Sequence, residues 1–319
     1  MRHAIHRYVL VLIVVFVLAQ LHSLYGQYRE YYFYGKVIDP QKEPLAEVEI
    51  LLRDVETSRS YSVQTNKKGE FRLAGLPHGI YQVTFKKEGY APKEDEWRFT
   101  TPQDTMQKVE IPPVTLVSET ALQEAMKMQE MQGAVKEAFE KIRQNDYDGA
   151  IATLKDVLAE EPKDPNALYL IGLSYSKKKV YTEAVEALTR VIELVPDFAP
   201  AEFELAVSYQ NLDEKDKALE HYRKTLELDP GNPDAAYNAG LILFGRNEVD
   251  EALAHFEKAL SLRPGDSAHL EMAGRCYINK GDFPKAIEYL EQAKSGLTDQ
   301  ERLEFLESLI SKLKEEISK

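Results

Sequence analysis

The chain has 319 residues, 44% of them hydrophobic and 29% charged, which is material for about two packed domains and too apolar for a disordered polymer. One cysteine excludes a disulfide framework and supplies no thiolate set for a structural zinc. A formal net charge of −13 opposes binding to nucleic acid or to an anionic membrane surface, because both demand clustered Lys and Arg.

The charge is unevenly spread. Residues 1–27 carry only Arg2 and Arg7, residues 28–118 hold 13 basic and 14 acidic side chains, and residues 119–319 hold 25 basic and 39 acidic ones. Three segments are expected: an address segment, a near-neutral domain and an acidic domain.

Met1 to Arg7 is short and basic, and Tyr8–Ala19 is an unbroken apolar run of 12 residues, followed by Gln20, His22 and Ser23. This is the layout of an export signal, and it is short for a membrane span of roughly 20 apolar residues. It predicts an exported chain, periplasmic or extracellular. Two fates stand open for residues 1–27: cleavage after a small residue such as Ser23 or Gly26, or retention through residues 8–24 as a single anchor with Arg2 and Arg7 on the cytoplasmic side. The aromatic run Tyr28, Tyr31, Tyr32, Phe33 and Tyr34 reads as the start of a β-strand, or as an interfacial belt beside a retained anchor.

From Tyr31 to Val117 apolar residues alternate with period two and are interrupted by turn residues at short intervals, the pattern of an all-β domain. Val48, Ile50 and Leu52 share a face of one strand, Phe71 and Leu73 of a second, and Tyr81, Val83 and Phe85 of a third. Asn66–Gly69, Pro77–Gly79 and Gly89 mark turns between them. About seven short strands fit residues 28–118, and two packed sheets bury their faces most economically.

The succession Gly35, Val37, Asp39, Pro44, Leu45, Val48, Ile50, Thr65, Gly69, Phe71, Leu73, Leu76, Pro77, Gly79, Tyr81, Val83, Gly89 and Tyr90 resembles the carboxypeptidase regulatory-like domain. The resemblance implies a transthyretin-like β-sandwich and no activity. In metallocarboxypeptidases this sandwich is the accessory unit, and the zinc chemistry belongs to a separate domain for which this chain has no room. The seven histidines, His3, His6, His22, His78, His221, His255 and His269, form no His-Glu-x-x-His pair, so no metal site, cofactor or catalytic residue is expected. His78 reads as a solvated turn residue. A Lys-to-Asn crosslink of the kind found in related sandwiches is not expected, since Lys36 on the first strand faces a last strand, Gln107–Leu116, without asparagine. Trp97 reads as a packing residue, with sugar stacking as the alternative role.

Beyond residue 118 the sequence repeats. Alanines recur at 150, 184, 218, 252 and 286, and prolines at 162, 196, 230 and 264, each series with a spacing of 34. Twelve residues before the alanines stand Ala138, Gly172, Ala206, Gly240 and Gly274. Five units follow, 131–164, 165–198, 199–232, 233–266 and 267–300, each predicting two antiparallel helices that touch where only Gly or Ala fits, at unit positions 8 and 20. Position 15 is a turn residue tolerant of left-handed geometry in Asn145, Asp213, Asn247 and Gly281, with Lys179 as the exception. Residues 119–130 read as a helical linker, and residues 301–319 as an amphipathic capping helix through Leu303, Leu306, Ile310, Leu313 and Ile317.

This register, with Leu168, Gly172, Tyr175, Ala184 and Pro196 in the second unit and Gly240, Ala252, Phe256, Ala259 and Pro264 in the fourth, resembles the tetratricopeptide repeat. The resemblance implies an all-α right-handed solenoid with a concave groove lined by positions 2, 5, 6, 9, 12 and 13 of the first helices. The arrangement of Lys, Asn and Arg that captures a C-terminal carboxylate in some relatives is missing here. Asn238 holds position 6, but Phe203 and Val207 precede it and Ala268 and Met272 follow. Instead the groove would be lined by Phe139, Tyr169, Leu173, Phe203, Val207, Tyr237, Asn238 and Leu241, an apolar and aromatic surface for a helix or extended peptide of a protein partner. Cys276 reads as a buried thiol. The expected function is a noncatalytic scaffold or adaptor of the cell envelope, with a carbohydrate-binding envelope protein using the β-sandwich as the alternative.

Overall fold

The computed structural model describes residues 31–99 and 107–318. The segment read as an export signal or anchor, and Tyr28, lie outside the described residues. The chain divides into two compact units between Gln129 and Glu130.

The first unit contains strands β1 (Tyr31–Ile38), β2 (Glu49–Asp54), β3 (Ser60–Gln64), β4 (Glu70–Leu76), β5 (Gly79–Lys87), β6 (Tyr90–Phe99), β7 (Gln107–Glu110) and β8 (Val114–Thr115). One sheet has the order β4-β1-β7, with β8 also on β1, and the other has the order β3-β2-β5-β6. β1 is antiparallel to β4 but parallel to β7 and β8. The stretch read as one last strand, Gln107–Leu116, is therefore two short ones. The cause is local: the Ile111 N–H donates to the Tyr34 carbonyl at 2.8 Å, and then Pro112 and Pro113, which have no N–H to offer, break the ladder until Val114 pairs with Val37.

Alternation puts Phe33 and Val37 of β1, Ile50 and Leu52 of β2, and Tyr81, Val83 and Phe85 of β5 between the sheets, all buried. Trp97 belongs to this core. It is 7% exposed, stacks on Phe33 and Phe71 with centroids 6.2 Å away, and donates its indole N–H to Asp95 Oδ2 at 3.2 Å. An indole covered in this way presents no face to a sugar. Gly69 is required twice over: its φ is +70°, and a Cβ there would stand 2.5 Å from the Val37 carbonyl oxygen.

Eleven helices follow among the described residues: α1 (Glu119–Arg143), α2 (Tyr147–Glu160), α3 (Pro165–Lys177), α4 (Tyr181–Leu194), α5 (Ala199–Asn211), α6 (Lys215–Leu228), α7 (Pro233–Gly245), α8 (Val249–Leu262), α9 (Ser267–Asn279), α10 (Phe283–Ser295) and α11 (Gln300–Ile317). Residues 119–130 are the first half of α1, which runs on without a break into the first helix of the first 34-residue unit. Ala, Met, Gln, Glu and Lys dominate that stretch, and nothing in it stops a helix. Aspartate or asparagine caps open many of the later helices, as where Asp164 Oδ1 accepts the Ala167 N–H and Asn232 Oδ1 the Ala235 N–H, at 2.8 and 2.9 Å.

The repeat spacing has a concrete cause. The five alanines at position 20 are fully buried. At position 8, a Cβ on Gly172 would come within 2.5 Å of Leu188, one on Gly240 within 2.7 Å of Phe256, and one on Gly274 within 2.9 Å of Leu290. The obstructing residue is the one at position 24 of the same unit, so the glycine accommodates a large side chain from the facing helix. At position 15 all five turn residues adopt positive φ: Asn145, Lys179, Asp213, Asn247 and Gly281, between 61° and 73°. Lys179 departs from the residue type and keeps the geometry. Neighbouring units are also tied by ion pairs between position 14 of one unit and position 18 of the unit before: Lys178 with Asp148, Arg246 with Asp216, and Lys280 with Asp250. The corresponding residues at the junction of the second and third units are Leu212 and Thr182, which cannot form one.

Two glycine substitutions should act in opposite directions. Gly240→Ala should cost about 1–3 kcal/mol through its clash with Phe256, whereas Gly133→Ala, with open space around it in α1, should gain about 0.5–1 kcal/mol. Urea unfolding followed by circular dichroism checks both signs. By the same measurement Lys179→Gly should stabilise the array by about 0.5–1 kcal/mol, since it removes the left-handed strain of a residue with a Cβ.

Candidate partner-binding face

Two pairs of first helices touch directly, α3 with α5 and α7 with α9, whereas no two second helices make comparable contact among the described residues. The first helices thus form the inner layer of a curved array, and their free sides line its concave face. Tyr169, Phe203 and Tyr237 stand at the same unit position on α3, α5 and α7.

All three rings are half-buried. Tyr169 packs edge-on against Phe198 at 5.1 Å, Phe203 leans on Tyr222 at 5.9 Å, and Tyr237 lies between Phe256 at 5.7 Å and His269 at 4.7 Å. Part of each ring is spent on joining helices, and the remainder faces out. Leu173, Val207 and Leu241, one turn further along the same helices, are half-buried as well, and so is Asn238. Phe139 on α1 is 46% exposed. All eight residues named from the sequence lie on the first helices of their units, and Phe139 is the most exposed of them.

A polar floor that no sequence motif marks lies between these rings. Glu204 of α5 is 7% exposed, and its Oε2 accepts the Ser176 hydroxyl of α3 at 3.0 Å. Burial pushes this carboxyl above its usual range, against the opposing pull of Lys177. Burial also raises the Tyr169 phenol to about 12, with the Glu204 charge adding to the effect. The Tyr222 hydroxyl donates to Gln210 Oε1 at 2.7 Å. Further along the array, buried Glu271 on α9 accepts hydrogen bonds from Arg275 at 3.0 Å and from Arg302 of α11 at 2.7 Å. The Arg275 guanidinium lies 5.6 Å from the centre of the Phe305 ring, which is 49% exposed. Phe305 could have been found by counting, since it falls 34 residues after Glu271 at the aromatic position of a sixth first helix. Glu204 left no such signal, because a lone glutamate in a helix reads as a solvated one.

Among the described residues no group of three or more His, Cys, Asp or Glu side chains is placed to hold a metal ion, and no helix is long and apolar enough to cross a membrane. Cys276 on α9 is fully buried, and burial, reinforced by Glu257, raises its thiol to about 11.

Comparison with known proteins agrees with this architecture. Residues 33–112 match the model of the carboxypeptidase regulatory-like domain, residues 203–267 and 237–300 match that of the tetratricopeptide repeat, and residues 143–225 match that of anaphase-promoting complex, cyclosome, subunit 3. Among solved structures the chain is similar to MamA at 29% identity, over 49% of this chain and 91% of that one, with a TM-score of 0.47. It is similar to MamA of Desulfovibrio magneticus RS-1 at 21% identity, over 52% and 93%, with a TM-score of 0.48. It is similar at 22% identity to YrrB, a tetratricopeptide repeat protein with an unusual peptide-binding site, over 59% of this chain and 98% of that one with a TM-score of 0.51, which shows a shared solenoid fold. No curated protein matches the chain.

The thiol supplies a check on the packing of the inner layer. In the native protein at pH 8, Cys276 should be inert to a disulfide reagent over hours and should react within minutes once urea unfolds the array. Fast labelling without urea would contradict the burial of α9.

Proposed function

We propose that this chain, which carries a carboxypeptidase regulatory-like domain followed by tetratricopeptide repeats, is a noncatalytic interaction scaffold of the cell envelope that binds a helix or extended segment of a protein partner along the inner face of its array. The observation that carries the reading is the row of aromatic residues, Tyr169, Phe203 and Tyr237, at one unit position on three successive inner helices. Each ring is fixed by a neighbouring ring and keeps a free side, so little conformational freedom remains to be lost on binding. The solenoid of YrrB, which shares this fold, has a peptide-binding site.

The envelope location rests on the apolar run Tyr8–Ala19 behind Arg2 and Arg7. In this reading the sandwich acts as a spacer or second contact. It supplies a closed core in which the lone tryptophan is consumed, and this removes the feature that a glycan-binding role would have used. The noncatalytic reading is supported by the matches to a repeat array and to a sandwich that is an accessory unit elsewhere.

Replacing Tyr169, Phe203 and Tyr237 together by serine should reduce in-cell crosslinking of the partner to the array by at least about tenfold, because aromatic anchors carry most of the energy of such interfaces. Circular dichroism must show the helices intact. Unchanged capture by a folded triple variant would refute the reading.

A further inference from the structure

The array buries three glutamates among its described residues, and they are treated differently. Glu202 is bonded to His221 Nδ1 at 2.6 Å, and Glu271 is clasped by Arg275 and Arg302. Glu204 has neither. Among the described residues its side chain has one hydrogen bond, from Ser176 to Oε2. The elements packed around it bring Tyr169, Ser176 and Lys177 from α3 and Tyr222 from α6, and Lys177, the one cation that influences it, is not within ion-pair distance. A carboxylate more than nine-tenths buried without a bonded cation is costly to hold in its charged form. Its surroundings raise the proton affinity accordingly.

Resting on the binding face described above, we propose that Glu204 is the specificity point of that face, and that the bound segment presents a lysine or arginine, flanked by apolar residues, whose cation pairs with the Glu204 carboxylate. Three observations converge on that occupant. The second carboxylate oxygen is not sealed from the surface, so a donor can reach it from outside, and a charged donor supplies a hydrogen bond and a countercharge together. Tyr169 and Tyr222, which flank the carboxylate, are phenols that burial keeps protonated, so they add no competing negative charge, and the half-buried Tyr169 keeps a ring face for a cation. Phe203 and Tyr237 supply apolar surface on the same layer, so the basic residue enters between apolar neighbours. At longer range, 39 acidic against 25 basic residues in 119–319 favour the approach of a basic segment. An acidic segment or a free carboxylate would meet Glu204 as a like charge.

A purely structural role predicts a different outcome from the same substitution. If Glu204 serves only to accept the Ser176 hydroxyl and join α3 to α5, Glu204→Gln keeps that acceptor and changes nothing else. The test pans a randomised dodecapeptide phage library on the purified full chain and on its Glu204→Gln variant. Peptides recovered by the native chain should be enriched in Lys or Arg between apolar residues, and the enrichment should vanish with Glu204→Gln. Replacing the basic residue of a recovered peptide by glutamine should weaken binding to the native chain by about tenfold and binding to the variant by less than about twofold. The peptide half of that comparison uses only the native chain, so it decides the matter even if the variant does not fold. Equal affinity of the lysine and glutamine peptides for the native chain overturns the proposal, as does undiminished basic enrichment on the variant. Peptides without basic enrichment whose binding is lost in the Tyr169/Phe203/Tyr237 variant would remove the role of Glu204 and leave the binding face standing. Failure to recover any peptide, or binding indifferent to both variants, removes both.

Discussion

The approach distance within each helix pair is set by one contact, that of a large side chain at position 24 against the bare backbone of a glycine or alanine sixteen residues earlier, as in Leu188 over Gly172 and Phe256 over Gly240. Everything else in the array follows from holding that distance constant. Because the pair can close only so far and no farther, the alanines at position 20 are sealed, the turn between the helices must reverse in a fixed number of residues, and one residue there is forced into left-handed geometry. Repetition then curves the stack with the first helices inside, which is how residues far apart in sequence come to share one face.

The same constraint explains what could be read directly. Small residues are legible because nothing larger fits, and their spacing reveals the register without any structure. The prolines between units and the alternation in the sandwich are legible for similar reasons: each reflects a backbone or burial rule that few residue types satisfy. Lys179 shows the limit from one side. Its residue type argued against a left-handed turn, yet φ is +63°, because the closed helix pairs on either side dictate the turn and the lysine bears the strain. Pro112 and Pro113 show it from another, since both stood in a stretch read as one strand and both end a ladder.

The proposed binding face was legible in its apolar members and not in its polar ones. Tyr169, Phe203 and Tyr237 follow from the register by counting. Glu204 does not, because its importance lies in what is missing around it, an arginine of the kind that Glu271 has, and absence of a partner is a three-dimensional property. The aromatic residues also proved to be shared between packing and surface. The same rings pack against neighbouring side chains and keep an exposed side, so packing does not exclude the proposed role.

The ion pairs that join position 14 to position 18 across the units cover three of the four junctions; the junction between the second and third units has Leu212 and Thr182 at these places and is instead tied from within by Ser176 and Glu204. Exposed pairs are screened by dissolved ions and a sheltered hydrogen bond is not. Ionic strength therefore does not slacken this solenoid evenly: it loosens the three ion-paired joints and spares the one at which the proposed cation would enter. The stiffness profile of the array is in that sense tunable by its medium, with the fixed point at the centre of the inner face.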